Sequence, residues 1–292
     1  MSKSKPDFII IGAMKSATST LHAQLDSQPG IFMTSLKEPN FFSDDRHYRR
    51  GLEWYTSLFA QAGPRDICGE SSTHYTKLPH YPNTVARLRE AVPDVRLIYV
   101  MRNPIDRLLS HYVHEWSERT ISEPIEQAVR RLPELTDYSR YGMQILPYLN
   151  TFGSDRLLLV FFEKLTAAPQ SELERICQFL GYTGRPKWQE ENAHQNISRE
   201  RMRIGPALKF LVENPILRGA RRTLIPGRCR EWVKGFLRMD SKPFLSPELI
   251  VHLKQVFDKD LTLVSSLVGF PITCDTWNTV AHTNIPEIKS TT

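Results

Sequence analysis

Phe8-Ile9-Ile10-Ile11 is a wholly apolar run that stops at Gly12, passes Lys15 and enters the hydroxyl-rich string Ser16-Ala17-Thr18-Ser19-Thr20. A run of that length without polar alternation marks a strand buried on both faces of a parallel sheet. A parallel strand needs a crossover, usually a helix, before its neighbour can pair, so the segment commits the chain to alternating strands and helices. The hydroxyl residues are placed to cap the helix that follows. At a helix N-terminus behind a tight turn, unpaired N–H groups and the dipole favour an anion, and Lys15 adds a full positive charge. A phosphate-binding loop is the first expectation, and an ordinary strand–turn–helix with solvated hydroxyls is its alternative. A Walker A loop would place its lysine after the second glycine of G-x-x-x-x-G-K-[ST]. Here Ala17 and Thr18 hold those positions and the lysine comes earlier.

The alternation continues along the chain. Strands are expected over 31–33, 66–69, 96–101 and 157–161, with helices over 20–27, 52–59, 83–91, 105–116, 144–152, 170–180, 206–217 and 247–267. That pattern reads as an α/β fold of P-loop-like, three-layer type, a mostly parallel central sheet with helices on both faces. The 292 residues, 40% of them hydrophobic, suffice for one large core. No linker splits the chain, so one domain is expected over 7–277, between a flexible start (1–6) and a flexible tail (278–292). No apolar stretch reaches the ~18 residues of a membrane span, and no signal-peptide core precedes the first strand. A cytoplasmic protein is the simplest expectation. Cys68, Cys177, Cys229 and Cys274 are scattered, with no spacing suited to metal or redox chemistry.

The formal charge of +6 favours anionic ligands but is too diffuse to imply nucleic acid. Its excess gathers at Arg199, Arg201 and Arg203, then at Arg218, Arg221, Arg222, Arg228 and Arg230. Such clusters read equally well as solvated helix faces.

Strand 96–101 ends in Arg102-Asn103-Pro104, and the helix that follows carries Ser110. The carboxyl end of a parallel strand is where α/β ligands bind. A guanidinium there can grip a phosphate with two parallel bonds, and a hydroxyl can add a third. A Walker B strand would end in aspartate to hold Mg²⁺, so arginine argues against a metal-dependent phosphoryl transferase. Pairing of Arg102 with Asp106 is the bland alternative.

In these segments the chain resembles the sulfotransferases that use 3′-phosphoadenylyl sulfate, in the style of bacterial members and the heparan-sulfate branch. Residues 12–21 resemble the family's 5′-phosphosulfate loop, and 102–112 its 3′-phosphate segment. The similarity runs on through Tyr138-Ser139-Arg140-Tyr141-Gly142, 156–165, the late loop 196–203 and the closing helix 245–267. The resemblance implies that Lys15, Ser16, Ala17, Thr18, Ser19 and Thr20 bind the donor's 5′ side, with Lys15 meeting charge that grows during transfer. It implies that Arg102 and Ser110 hold the 3′-phosphate, with Tyr141 in the same segment pattern. Ser198, Arg199, Arg201 and Arg203 are implied to close over that phosphate. No metal is implied, because fixed donors stabilise the charge. The product would be adenosine 3′,5′-bisphosphate.

The acceptor hydroxyl needs a general base. The resemblance points to Glu38, in Lys37-Glu38-Pro39-Asn40-Phe41-Phe42, unless an ion pair with Lys37 is its only role. His74 is the rival, as a neutral imidazole suits the task. The heparan-sulfate branch carries a lysine where this chain has Ser71 and a histidine where it has Asn40. Both departures lie on the acceptor side. The implied acceptor is therefore a carbohydrate or small metabolite, with no membrane span and the oligomeric state open. The other readings are a nucleotide-dependent small-molecule kinase and a non-catalytic nucleotide-binding protein.

Overall fold

The apolar run becomes β1 (Phe8–Gly12), buried along its whole length. A computed structural model describes residues 5–192 and 243–283. In it β1 stands at the centre of a five-stranded sheet with β2 (Ile31–Met33), β3 (Ile67–Ser71), β4 (Arg96–Met101) and β5 (Leu157–Phe161), ordered β2-β3-β1-β4-β5. Every pair is parallel.

Alternation along β1 sends its side chains to opposite layers. Ile9 and Ile11 join Leu97 and Tyr99 beneath α8 (Tyr141–Phe152) and α11 (Pro247–Val268). Phe8 and Ile10 join Ile98 and Val100 beneath α1 (Thr18–Asp26) and α10 (Pro169–Leu180). Both faces of the sheet are therefore covered, giving the three layers expected of the fold class. Each of these fully buried apolar side chains contributes roughly 1.5–3 kcal/mol against exposure.

The remaining helices are α2 (Asp45–Tyr48), α3 (Gly51–Ser57), α4 (Thr84–Ala91), α5 (Pro104–Ser117), α6 (Ile125–Arg131), α7 (Glu134–Asp137), α9 (Phe162–Ala167) and α12 (Trp277–Ala281). α5 starts where its sequence says: Pro104 opens the first turn and the Asn103 side chain accepts from the N–H groups of Ile105 and Asp106. No helix among the described residues is long and apolar enough to cross a membrane.

Some boundaries differ from expectation for physical reasons. β3 runs on to Ser71 because Glu70, polar in sequence, is buried and bonded inside the sheet. α8 begins at Tyr141 because a carboxylate from α11 caps it: Asp260 accepts from the N–H groups of Gly142 (2.7 Å) and Met143 (2.9 Å). Beyond the helices expected in sequence, α12 carries Trp277 and Ala281 into the core, both fully buried. The expected helix 206–217, the arginines from 218 to 230 and Cys229 lie outside the described residues.

The chain leaves β1 for β2 and β3 on one side, then crosses to β4 and β5 on the other. That reversal is a topological switch point, and it places the loops after β1, β2, β3 and β4 at one sheet edge. Gly12 closes β1 there, with φ +155°. A Cβ on it would lie 2.0 Å from Thr76 Oγ1, whose hydroxyl donates to the Ile11 carbonyl (2.7 Å), and 2.9 Å from the Tyr99 ring. Gly12→Ala is therefore expected to destabilise the fold by more than about 2 kcal/mol. A urea-denaturation midpoint within error of the parent would contradict this.

Candidate active site

The loop after β1 turns sharply into α1. Lys15 (φ 71°) and Ala17 (φ 63°) both take left-handed backbone, a conformation that costs an ordinary L-residue about 1–2 kcal/mol. Ala17 is the N-cap, and no side chain caps the helix. This corrects the expectation of hydroxyl caps and a start at residue 20. Thr18, Ser19 and Thr20 instead form the first turn, where three amides lack intrahelical partners. Ser16 is completely buried, and its Oγ has no partner among the described residues. An uncapped first turn beside a buried orphan hydroxyl is the donor set that a phosphate or sulfate would satisfy.

Arg102 joins this cradle from the end of β4. Its Nη1 donates to the Lys15 carbonyl (3.5 Å), and its guanidinium stacks over the Phe162 ring at 4.7 Å. Its Nε is buried and has no hydrogen-bond partner among the described residues. No pairing with Asp106 appears among the described residues, and Asp106 is exposed. Tyr141, expected among the binding residues, reaches the site only through Arg102. It is completely buried, and its hydroxyl donates to the Arg102 carbonyl (2.6 Å) while accepting from the Arg102 N–H (3.2 Å). Ser110 stands half-buried on α5. Ser198, Arg199, Arg201 and Arg203 lie outside the described residues.

The loop after β2 approaches from the other side of β1. Glu38 (φ 59°) and Asn40 (φ 50°) are again left-handed, so four of the five such non-glycine residues among those described fall in these two loops. Strained backbone of this kind gathers where a loop must hold one shape. The Glu38 carboxylate accepts from the Thr73 N–H (2.9 Å) and from its hydroxyl (3.2 Å), and pairs with Lys37 at 3.0 Å. The ion pair is a quarter to a third exposed and contributes little stability; the two bonds from Thr73 fix the carboxylate. His74, one residue on, stacks its ring on Tyr81 at 5.0 Å. Burial, then the neighbouring Lys77, pushes its imidazole down to about 4.

Two residues at this edge went unread in the sequence. His22 on α1 shares a hydrogen bond with Ser71 Oγ through Nδ1 (2.8 Å), while the Ser71 carbonyl accepts from the Glu38 N–H (3.0 Å). This links the first helix to the Glu38 loop, and burial holds His22 down to about 4. Helical spacing carried a signal, since His22 is one turn beyond Thr18 and Ser19. Thr73 carried none, because its meeting with Glu38 depends on β2 pairing with β3.

Glu70 lies under the same loop, fully buried. Tyr55 (3.2 Å) and Tyr75 (2.8 Å) donate to one carboxylate oxygen and Ser72 (2.8 Å) to the other, while Ser72 Oγ accepts from the Asn40 N–H (3.1 Å). Burial raises this carboxyl from 4.5 to about 7, against the pull of its three donors. The folded state thus holds the proton more tightly than the unfolded chain. The resulting stability is fully present below about pH 4.5 and is lost as pH rises through about 7, some 3 kcal/mol in all. His22, His74 and His111, all lowered to about 4, act oppositely, losing stability as pH falls below 6.5. The parent-minus-Glu70→Gln difference in urea stability isolates the carboxyl and is expected to fall between pH 5 and 8. A flat difference would refute the assignment.

Among the described residues, no group of three or more His, Cys, Asp or Glu stands together as a metal site. The edge offers two sets of unpartnered donors, after β1 and after β4, and one oriented carboxylate after β2.

Comparison with known proteins bears on the family and the fold. The mouse heparan sulfate glucosamine 3-O-sulfotransferase 3B1 is 32% identical over 189 residues, covering 62% of this chain and 47% of that protein. The membrane-associated sulfotransferase kil1 of Dictyostelium discoideum is 35% identical over 132 residues, covering 44% of this chain and 27% of that protein. The chain thus spans about half or less of the length of these curated relatives. A crystal structure of a sulfotransferase from Alicyclobacillus acidocaldarius superposes with TM-score 0.64 at 22% identity, over 92% of this chain and 97% of that one, and agrees in fold. The sulfotransferase domain model matches residues 5–265, both candidate loops and the whole sheet included, and the chain belongs to the sulfotransferase family.

Proposed function

We propose that this protein transfers a sulfuryl group from 3′-phosphoadenylyl sulfate to a hydroxyl of a carbohydrate or small metabolite. The observation that carries the reading is the contact of Arg102 with the Lys15 carbonyl, which locks two anion-binding elements side by side. One phosphate needs one such element; a donor with separate 5′ and 3′ phosphates needs two. In this reading the first turn of α1, Ser16 and Lys15 hold the 5′-phosphosulfate, while Arg102 and Ser110 hold the 3′-phosphate. The late-loop residues Ser198, Arg199, Arg201 and Arg203 remain candidates for closing over it.

Transfer breaks the bond between sulfur and the bridging oxygen of the anhydride and forms one from sulfur to the acceptor oxygen. Negative charge grows on the bridging oxygen, where Lys15 meets it. The acceptor proton passes to Glu38, which Thr73 orients. A carbohydrate acceptor is supported by the heparan sulfate relatives. The kinase alternative is disfavoured by the arginine that ends β4, where a metal-binding aspartate would serve phosphoryl transfer.

Incubating the full chain with donor labelled in the sulfuryl group and a panel of glycans, phenols and alcohols tests the proposal. Labelled acceptor and adenosine 3′,5′-bisphosphate should appear together. Thermal stabilisation by ATP with Mg²⁺, and none by the bisphosphate, would favour the kinase instead.

A further inference from the structure

Beside Glu38, the segment after β3 ends at Lys77, which faces a cavity of about 300 Å³. α5, α7 and the residues that join them to β3 wall this cavity with Lys77, His80, His111, Glu115, Leu135 and Tyr138. Tyr138 stacks on His111 (5.6 Å) and shares a hydrogen bond with His80 (2.9 Å), so the aromatic wall is fixed. Lys77 sits over the Tyr138 ring, its Nζ 5.7 Å from the centroid. No carboxylate pairs with it among the described residues. Glu115 is already engaged by His111 Nε2 (3.4 Å) and by the Thr120 hydroxyl (2.5 Å).

A half-buried ammonium without an anion is costly, and burial pushes this one down to about 8. Glu38 is the strongest charge acting in its favour, ahead of Glu115. Thr73, whose N–H and hydroxyl hold the Glu38 carboxylate, opens the single turn that Lys77 closes, so the carboxylate proposed to take the acceptor proton and this cation belong to one neighbourhood. Arg131 and Glu134 also line the cavity, and Arg131 is engaged by Glu123, which leaves Lys77 as the lining cation with no carboxylate partner among the described residues.

Resting on the sulfotransfer reading, we infer that Lys77 is a specificity-determining residue, which binds a carboxylate carried by the acceptor while the hydroxyl to be sulfated lies at Glu38. An acceptor acid would supply the missing anion at the mouth of a pocket whose aromatic wall suits a ring.

The test uses the full chain saturated with adenosine 3′,5′-bisphosphate and titrated calorimetrically with 4-nitrophenyl β-D-glucuronide or 4-nitrophenyl β-D-xyloside. These probes share their ring hydroxyls and differ by the carboxylate. The parent should bind the glucuronide about 10-fold more tightly, the scale of one charge-assisted hydrogen bond. Lys77→Met should abolish that preference without weakening the xyloside or the bisphosphate, and Lys77→Arg should restore most of it. A parent with no preference, including one that binds neither probe, overturns the inference, as does a preference that survives in Lys77→Met. A chain that fails to bind the bisphosphate overturns the donor reading, and this inference with it.

Discussion

Lys15→Ala is expected to lower kcat by roughly 10²–10³-fold, the loss seen when one fixed donor is removed from a developing charge. The substitution is isolated from folding. Lys15 is half-exposed in a loop, and alanine inherits the same left-handed backbone without a new clash. The Lys15 carbonyl, which accepts from Arg102, is kept as well. Affinity for adenosine 3′,5′-bisphosphate, whose 5′-phosphate keeps the bridging oxygen, should fall by no more than about 10-fold, the scale of one charge-assisted hydrogen bond among the several donors that hold it. Single-turnover measurement with labelled donor separates the two quantities. Equal losses in donor affinity and rate would make Lys15 a ground-state anchor instead.

Glu38→Gln should lower kcat by about 10²–10⁴-fold, the usual range for a positioned proton acceptor. Glutamine is nearly isosteric and can still accept from Thr73, so KM for the acceptor should move little. His74→Asn should stay within a few-fold of the parent. The His74 ring is stacked on Tyr81, and burial lowers its imidazole to about 4, too weakly basic to serve well as a proton acceptor near neutral pH. A protein in which His74→Asn is dead and Glu38→Gln active would reverse the assignment of the base.

Much of the fold was legible because local signals agreed with global ones. The apolar runs 96–101 and 157–161 became β4 and β5 residue for residue, and Asn103-Pro104 opened α5 as capping rules require. Arg102 at a strand end was readable for the same reason: its place follows from the strand.

The illegible parts depend on meetings between distant segments. Glu70 looked like the start of a loop, since a carboxylate is rarely fully buried, and only the hydroxyls of Tyr55, Ser72 and Tyr75 make its burial tolerable. The Ala17 cap ran against propensity, which favours a hydroxyl there. Tyr141 looked like a ligand-binding residue because it shares a segment pattern with known ones; its burial against Arg102 appears only when α8 packs on the sheet.

Asp260 gives the cap on α8 a wider meaning. From the middle of α11 it fixes the first turn of α8, Tyr141 opens that turn, and Tyr141 grips the backbone of Arg102 on both sides. A side chain 118 positions from Gly142 in sequence thus sets the aim of the guanidinium. On the proposed reading, damage to this relay would surface first as donor affinity, with the roles proposed for Lys15 and Glu38 left in place. In the proposed reading α11 is in that sense a strut behind the nucleotide site, holding Arg102 in place through α8 without touching Lys15 or Glu38.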